Sequence, residues 1–415
     1  GGSGNDTINF IYGDGQSGQS FDGGPDSDTL YFDGNLPYSS FNLRDDTVVG
    51  FEVITVDQNF GYPGAPTRIS MTAAQISTIN TVEVLKIGSD LVGLDLHIYM
   101  EDTTALDLSA VSISTMSDAD GTGFSIFGDD DAESVTGTAL GDNIRTQGGE
   151  DTIDALGGDD TIELGGGGSY SGGDDDDLFI LLDGLPIGDG VGDIVNGGPG
   201  NDTLDMSGVT GTGMKVNRPG FSLDTNVSSL DDPAQSTEMI RVEHYIGTDQ
   251  GDDFLMYAGD VSIEGRGGND TILAGFNSQT ISGGDGDDVI DSDFELVSSI
   301  SDNLSGDAGN DTLRGSESGS DTIDGGADND EIDGRGGEDR LIGGLGDDTM
   351  EAWGWRIPFL LTLPLGIVAL WLRTRLEDSP VFPKLVGLES DMDAARPELS
   401  VHVDRELAAL YDLNT

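Results

Sequence analysis

The chain has 415 residues, with 65 glycines, no cysteine, and 79 acidic against 17 basic side chains, for a net charge of −62. This balance argues against nucleic acid as a partner, because no basic stripe exists to meet phosphate groups. The lack of cysteine excludes disulfides and thiolate metal sites. Acidic chains are often disordered, but here the acids recur at regular spacing, which favours a folded chain neutralised by bound cations.

Residues 1–34 hold two copies of a nine-residue pattern, GGSGNDTIN from Gly1 and the degenerate GGPDSDTLY from Gly23. The pattern is G-G-x-G-x-D-x-U-x, where U is a large apolar residue. Its glycines permit turns in which backbone carbonyls crowd around an ion, and its aspartate adds a carboxylate, which together suit calcium. The last three residues predict a short strand with U inward. We therefore expect Asp6 and Asp28 to bind calcium. Because the sequence starts inside a repeat and without Met, we also expect a fragment or a processed product.

Residues 35–135 are poor in glycine and contain segments in which apolar and polar residues alternate, as in strands. The predicted strands are 51–56, 82–87, 94–99 and 106–111. Residues 70–79 predict a short helix or a turn. Two interpretations stay open for this region: β-solenoid coils without the calcium turn, or a separate β-insert.

Residues 136–205 return to the repeat, and residues 206–246 form a second insert with little glycine. The candidate calcium ligands here are Asp142, Asp151, Asp160 and Asp202. The run Asp174–Asp177 is interpreted as a solvated or ion-binding turn.

Residues 247–351 form the longest repeat tract, and its clearest unit is GGDGDDVID, which starts at Gly283. One buried Ile or Leu in nine residues cannot offset the entropy lost on ordering them, so ion binding in the folded state must add stability. The candidate ligands share the Asp position of the pattern: Asp252, Asp270, Asp288, Asp302, Asp311, Asp321, Asp330, Asp339 and Asp348. The repeat glycines expected around the ions are Gly265, Gly268, Gly283, Gly286, Gly325, Gly334, Gly343 and Gly346.

Two nine-residue units should make one coil, so aspartates on the same edge of the roll should lie eighteen residues apart. Val261 and Gln279 occupy the Asp position on one edge. We therefore expect calcium along one edge of residues 247–291 and along both edges of 316–351. Within these runs Asp270 has predicted neighbours on both sides, so its loss should cost more calcium than the loss of Asp330.

These phased units resemble the RTX (repeats-in-toxin) family. The resemblance implies an all-β fold, a right-handed parallel β-roll or β-solenoid with calcium-binding turns, to which we add a short helical C-terminal segment. It also implies type I secretion from a Gram-negative bacterium, folding in external calcium, and a place outside the cell or on its surface. The expected partners are calcium ions and, as candidates, the chain itself or cell-surface polysaccharide.

The function implied is that of a structural or adhesive module, such as an adhesin, a surface-layer protein or a matrix component. The alternative is the non-catalytic tail of a secreted hydrolase or polysaccharide epimerase. The sequence contains neither H-E-x-x-H nor G-x-S-x-G, so we expect no enzyme activity. His97, His244 and His402 are far apart in sequence and are expected on strand or helix surfaces.

Residues 352–415 differ in composition, because they contain all three tryptophans and a nearly uncharged run, 357–372. Residues 353–382 resemble one helix and its exit loop from major-facilitator metabolite:proton symporters. Three interpretations stay open: a fused or mis-joined coding sequence, a buried cap on the roll, or a membrane anchor through 353–372. Further on, five residues would share one face of an amphipathic helix: Leu399, Val403, Leu407, Leu410 and Tyr411. We expect this helix to be an end cap or a secretion signal.

Overall fold

The fold is known from a computed structural model and is built almost entirely of strands. The structure describes residues 2–11, 17–33, 40–57, 67–85, 94–114, 124–182, 194–218, 224–231, 236–257, 259–275, 277–293, 301–352, 386–393 and 396–403. Long parallel sheets dominate this part of the chain, which confirms the predicted all-β parallel roll.

The N-terminal coils continue through the glycine-poor region. Their elements are β1 (Thr7–Phe10), β2 (Ser20–Asp22), β3 (Thr29–Asp33), β4 (Ser40–Asn42), β5 (Thr47–Val49), β6 (Val53–Asp57), β7 (Thr67–Thr72), helix α1 (Ala73–Ile76), β8 (Thr81–Leu85), β9 (Leu94–Tyr99), β10 (Ala105–Asp107), β11 (Ser112–Ser114) and β12 (Phe124–Phe127). Strands β1, β3, β6, β8 and β11 form a five-stranded sheet in which all pairs are parallel, and β2 pairs with β5. The described strands of this glycine-poor region thus pair in parallel, as in the coils of a solenoid.

The short helix expected within residues 70–79 is present as α1. Thr72 caps it, since its hydroxyl accepts the Gln75 backbone N–H and the Gln75 side chain accepts the Thr72 N–H. The strand predicted at 106–111 is too long, because it ends at Asp107. There the Asp107 carboxylate accepts the Ser109 backbone N–H and starts a turn.

The central coils contain β13 (Ser134–Thr136), β14 (Asn143–Arg145), β15 (Glu150–Asp154), β16 (Thr161–Leu164), β17 (Gly167–Ser171), β18 (Leu178–Leu182), β19 (Ile194–Asn196), β20 (Thr203–Gly208), β21 (Met214–Arg218), β22 (Asp224–Ser229), β23 (Thr237–Ile240), β24 (His244–Ile246) and β25 (Asp253–Met256). The last coils contain β26 (Val261–Glu264), β27 (Thr271–Ala274), β28 (Gln279–Asp285), β29 (Val289–Asp291), β30 (Asn303–Ala308), β31 (Thr312–Arg314), β32 (Thr322–Ala327), β33 (Glu331–Arg335), β34 (Arg340–Leu345) and β35 (Thr349–Ala352).

Two 14-stranded sheets run along the molecule, and from β12 onward the chain alternates between them except at β21, β22 and β23, which are consecutive strands of one sheet. Sheet I has the order β10-β13-β15-β17-β19-β23-β22-β21-β25-β27-β29-β31-β33-β35, and sheet II has the order β34-β32-β30-β28-β26-β24-β20-β18-β16-β14-β12-β9-β7-β4. In the repeat tract Asp253 pairs with Thr271 and Thr271 with Val289, so parallel neighbours lie eighteen residues apart. This confirms the predicted coil of two units.

The insert at 206–246 adds strands to sheet I alone. Strand β22 is antiparallel to both β21 and β23, while β21 continues in parallel into β25 and β23 into β19. Sheet I therefore has three strands where sheet II passes directly from β20 to β24. Because strands in a sheet are ~4.8 Å apart, the face of sheet I is locally longer by ~10 Å.

The core lies between the two sheets and takes one apolar side chain from each unit. Ile263, Ile272, Ile281 and Ile290 follow one another at intervals of nine residues and are at most 2% exposed. They belong alternately to sheet II and sheet I, as the inward U position predicts.

The C-terminal segment differs from the prediction. Strands β36 (Val386–Asp393) and β37 (Arg396–Val403) form an antiparallel hairpin, so a helix that includes Leu399 and Val403 is wrong. The alternation Leu-Ser-Val-His-Val over 399–403 suits a strand, and this local period of two prevailed over the helical spacing. Leu407, Leu410, Tyr411 and the apolar run 357–372 lie outside the described residues.

Candidate calcium sites

Along each edge of the roll, buried carboxylates are linked from coil to coil by hydrogen bonds. The backbone N–H of Asp252 donates to Oδ1 of Asp270 at 2.7 Å, and the N–H of Asp270 donates to Oδ1 of Asp288 at 2.7 Å. The same bond then joins Asp288 to Asp311, Asp311 to Asp330 and Asp330 to Asp348. We call this series the sheet I row, because each of its members directly precedes a strand of sheet I.

The opposite edge carries a second series, which we call the sheet II row. In it the backbone N–H of one member again donates to the carboxylate of the member one coil later. Its first run joins Asp142, Asp160, Asp177, Asp202 and Glu243. Its second run joins Gln279, Asp302, Asp321 and Asp339. Near the N-terminus Asp6 is joined to Asp28 and Asp28 to Glu52, and at the start of sheet I Glu133 is joined to Asp151.

The second oxygen of many of these carboxylates is buried and receives no hydrogen bond. In the part of the chain that the structure describes, this holds for Oδ2 of Asp28, Asp177, Asp202, Asp270, Asp288, Asp302, Asp311 and Asp330, and for Oε2 of Glu133. A buried anionic oxygen without a donor is costly unless a cation meets it. No group of three or more acidic or histidine side chains in the described ranges could hold a metal by itself. Backbone carbonyls must therefore supply the other ligands, as calcium permits.

The repeat glycines make room for these oxygens. A Cβ on Gly283 would lie 2.2 Å from Asp288 Oδ2, and one on Gly265 would lie 2.2 Å from Asp270 Oδ2 and 2.3 Å from the Gly283 carbonyl oxygen. The first glycines of three other units, Gly325, Gly334 and Gly343, lie in the same way against Asp330, Asp339 and Asp348. The fourth-position glycines Gly268, Gly286 and Gly346 have φ of 100°, 140° and 157°. Carboxylate, carbonyl and glycine turn together fit a hard cation such as calcium.

Burial raises the pKa of these carboxyl groups. The pKa of Asp270 rises to about 8 because the group is buried and because Asp252 and Asp288 add negative charge beside it. Burial likewise raises the pKa of Asp177 and Asp311 to about 7 and that of Asp288 and Asp302 to about 6. Without a bound cation, the folded roll thus holds its carboxylates at a cost.

Gln279 occupies an aspartate position, and its side-chain amide donates hydrogen bonds to backbone carbonyl oxygens of the turns. Its Nε2 donates to the carbonyl oxygens of Gly259 at 3.1 Å, Gly275 at 3.2 Å and Asn277 at 3.4 Å. Val261, which pairs with Gln279, is buried in the same position one coil earlier. Carboxylates are therefore absent from the sheet II edge at these two coils, while the sheet I edge beside them carries Asp252, Asp270 and Asp288.

One comparison predicted from the nine-residue phase is wrong. Asp330 has a neighbour on each side, Asp311 and Asp348, just as Asp270 has. Asp288 and Asp311 are 23 residues apart, but Asp288 N–H still donates to Asp311 Oδ1 at 2.8 Å. A break in sequence phase therefore does not break the row.

Three acids that lie in the rows, Glu52, Glu133 and Glu243, are absent from the predicted ligands, and Asp177 was predicted only as part of the run Asp174–Asp177. Each stands two residues before an inward apolar residue, as in Glu243-His-Tyr245, and this acid-x-U spacing would have found them. They were missed because the nine-residue phase shifts near the inserts and because only aspartate was considered. In the acidic run, Asp174–Asp176 are exposed and Asp177 alone is buried.

Four predicted ligands accept hydrogen bonds on both carboxylate oxygens from the protein itself. In Asp142, Asp252 and Asp321 both oxygens accept backbone N–H groups, and in Asp151 one oxygen accepts the Glu133 N–H and the other the Tyr170 hydroxyl. Asp6, which is partly exposed, accepts the Gly2 backbone N–H on Oδ2. The ion ligation of the predicted residues stays a prediction, and the hydrogen bonds divide them into two groups.

A family model for the RTX calcium-binding nonapeptide repeat (4 copies) matches residues 136–170, 246–278, 264–294, 298–318 and 316–350. These are the coils in which glycine turns and buried aspartates alternate. The chain carries RTX calcium-binding repeats. The RTX repeats bind calcium ions in multiple copies, and RTX repeat proteins are typically secreted.

Short segments of the chain are similar to transporters. The chain is 60% identical over 38 residues to a putative proline/betaine transporter of Staphylococcus haemolyticus, which is 9% of this chain and 8% of that protein. It is 53% identical over 67 residues to the glycine betaine/proline/ectoine/pipecolic acid transporter OusA of Dickeya dadantii, or 14% of this chain and 13% of that protein. The chain thus spans about a tenth of these relatives. The short matches agree with the partial symporter resemblance of residues 353–382.

None of the helices in the described ranges is long and apolar enough to cross a membrane. The histidines whose side chains are described lie on outer strand faces: His97 is 2.8 Å from Asp95, and His244 is 3.4 Å from Glu264.

Proposed function

We propose that the chain is a structural or adhesive module of a secreted protein, and that calcium outside the cell folds it. The observation that carries the proposal is the row of buried carboxylates, each of which uses one oxygen to join coils and keeps the other for a cation. Inside a cell, where calcium is scarce, the same carboxylates favour an unfolded chain that can be exported.

For the adhesive role we propose a cell-surface polysaccharide as the partner. The outer face of sheet II carries Arg44, Tyr99, Phe127 and Arg145 side by side. The Arg44 guanidinium carbon is 3.7 Å from the centre of the Tyr99 ring, and the Tyr99 and Phe127 rings stack at 4.8 Å. Arg44 is paired with Glu101 and Arg145 with Glu163, so the region adds no net charge, and in a chain of net charge −62 an anionic sugar polymer meets less repulsion here than on the acidic turns.

The folding part of the proposal is tested by circular dichroism during calcium titration. In chelator we expect little β signal, because the carboxylates repel one another, and at millimolar calcium we expect β signal to appear cooperatively. Magnesium should replace calcium poorly, because it requires tighter octahedral geometry and keeps its waters. Identical spectra in chelator and in calcium would contradict the proposal.

The adhesive part is tested with an immobilised anionic polysaccharide in calcium. The paired variant Tyr99→Ala/Phe127→Ala should lose binding while it keeps the calcium-induced β signal. Thr280→Ala, on the outer face of the same sheet farther along the roll, is the matched control. Equal binding by the wild type, the paired variant and the control would place the polysaccharide contact elsewhere. If none of the three chains binds, a polysaccharide partner is rejected.

A further inference from the structure

In three of the RTX turns the second residue is a threonine or serine, whereas in most other turns it is glycine or another residue with a left-handed backbone. The pairs of turn residue and row aspartate are Thr138 with Asp142, Thr248 with Asp252, and Ser316 with Asp321. All three aspartates are buried, with at most 3% of their surface exposed.

At the Thr248 turn, hydrogen-bond donors of the protein itself bind both oxygens of the Asp252 carboxylate. The Thr248 backbone N–H donates to Asp252 Oδ2 at 2.7 Å, and its hydroxyl lies 3.1 Å from Asp252 Oδ1. The hydroxyl oxygen also accepts the Gln250 backbone N–H at 3.0 Å, which closes the turn. From the preceding coil, Met214 N–H donates to Asp252 Oδ1 at 2.5 Å.

The other two turns repeat this arrangement. The Thr138 N–H donates to Asp142 Oδ2 at 2.8 Å, and the hydroxyl accepts the Leu140 N–H at 3.2 Å. The Ser316 N–H donates to Asp321 Oδ2 at 2.7 Å, and its hydroxyl accepts the Gly319 N–H at 2.9 Å. In contrast, Oδ2 of Asp270 and Oδ2 of Asp288 receive no such bond.

The backbone separates the two kinds of turn independently. In the turns of Asp270, Asp288 and Asp330 the second residue is left-handed, with φ of 77° at Arg266, 108° at Gly284 and 106° at Gly326. Thr138, Thr248 and Ser316 hold the corresponding place and are not left-handed. For threonine the reason is its β-branched side chain, which disfavours that conformation, so the turn closes on its own hydroxyl.

The hydroxyl turns also share a position in the sequence. Three of the segments that match the RTX repeat begin at residues 136, 246 and 316, directly at these turns. The first two follow the glycine-poor coils, whereas the Ser316 turn lies within a repeat tract, because the match at residues 298–318 overlaps it.

We propose that the Thr138, Thr248 and Ser316 turns take no calcium, and that the Thr138 and Thr248 turns start their repeat blocks with a turn held by protein donors alone. The proposal rests on calcium binding by the glycine turns. Protein donors occupy both oxygens of each of these aspartates, so no carboxylate oxygen is left for an ion. Such a turn gives the next glycine turn an ordered edge, to which calcium can bind with less loss of entropy.

The test counts calcium ions per chain by equilibrium dialysis at saturating calcium, with the full chain and with variants whose folding is checked by circular dichroism. Asp252→Asn should keep the wild-type number of ions, whereas Asp270→Asn should lose one. Thr248→Gly should gain one, because glycine permits the left-handed turn, in which the aspartate Oδ2 receives no backbone N–H, as at Gly284 and Asp288. Thr248→Ser keeps the hydroxyl and should match the wild type.

Loss of one ion in Asp252→Asn, or no gain in a folded Thr248→Gly chain, would overturn the inference. If Asp252→Asn does not fold, Asp142→Asn and Asp321→Asn make the same comparison at the other two turns, and Thr248→Gly decides in any case. Absence of calcium from the wild-type chain would instead reject the proposed function.

Discussion

The backbone N–H of Asp270 donates a 2.7 Å hydrogen bond to Oδ1 of Asp288, the residue that holds the same position one coil later. Oδ2 of both residues is buried without a donor. Each carboxylate thus acts as a link within the sheet edge through one oxygen and leaves the other oxygen for the proposed cation. Folding and ion binding are coupled in one side chain, since neither role is possible in the extended chain.

The first prediction concerns two members of the sheet I row. Asp270→Ala and Asp330→Ala should each release one calcium ion and should raise the calcium midpoint of folding to a similar extent, because each residue has neighbours on both sides. Dialysis and circular dichroism measure the two effects. A much larger effect for Asp270→Ala would show that the row is interrupted between Asp288 and Asp311.

The second prediction concerns pH in the absence of calcium. Burial raises the pKa of Asp270 to about 8 and that of Asp311 to about 7, against an unfolded value of ~3.9. Raised folded pKa values mean that ionisation disfavours the folded state. This penalty is complete above pH 8 and disappears as pH falls towards 4. In chelator, we therefore expect β signal to increase as the pH is lowered from 8 to 4.

In calcium the same groups should respond in the opposite way, because protons compete with the ion for the carboxylates. Calcium affinity should fall as pH is lowered through 8 to 6. A metal-free chain whose circular dichroism is unchanged between pH 8 and 4 would contradict the burial of these acids in the folded state.

The third prediction concerns Gln279, whose side-chain amide donates hydrogen bonds to the carbonyl oxygens of Gly259, Gly275 and Asn277. Gln279→Ala should lower the free energy of unfolding by about 1–3 kcal/mol without changing the number of bound ions, because it leaves buried carbonyls without a donor. Gln279→Asp should instead bind one more calcium, since it joins a carboxylate to those carbonyls.

Denaturant unfolding in saturating calcium gives the stability, and dialysis gives the ion count. Thr280→Ala is the control, because Thr280 is next in sequence and exposed on the outer face. Loss of an ion in Gln279→Ala would show that calcium binds at this turn despite the amide.

The fourth prediction is that residues 352–415 can be removed. Strand β36 pairs only with β37 among the described strands, and the sheets of the roll end at β34 and β35. A chain that ends at Glu351 should keep its calcium-induced β signal, with some fraying of β35. Complete loss of that signal would identify the segment as an essential cap.

The repeat coils could be predicted from sequence because Ile263, Ile272, Ile281 and Ile290 fix the period and the glycines fix the turns. Gln279 could be located from the same period, but its three bonds to carbonyls could not be foreseen, because they depend on the position of two neighbouring turns. The antiparallel direction of strand β22 could not be predicted either, because the sequence of residues 224–229 is consistent with either direction of pairing.

The two groups of aspartates show a further limit. Asp252 and Asp288 occupy the same position of the pattern, and the difference between them comes from Thr248 against Gly284 four residues earlier. A pattern that treats the second position as free cannot separate them. The physical signal is present in the sequence, because threonine seldom adopts the left-handed backbone that the glycine turn requires.

The spacing of the carboxylate rows has a consequence for salt. Along each row one carboxylate follows another at the distance between neighbouring strands, ~4.8 Å. In water two unit charges interact with an energy equal to thermal energy at ~7 Å. Carboxylates at this spacing attract sodium and potassium as well as calcium wherever the roll is formed, so monovalent cations compete with calcium for the charge of the rows. The calcium midpoint of folding should therefore rise with monovalent salt.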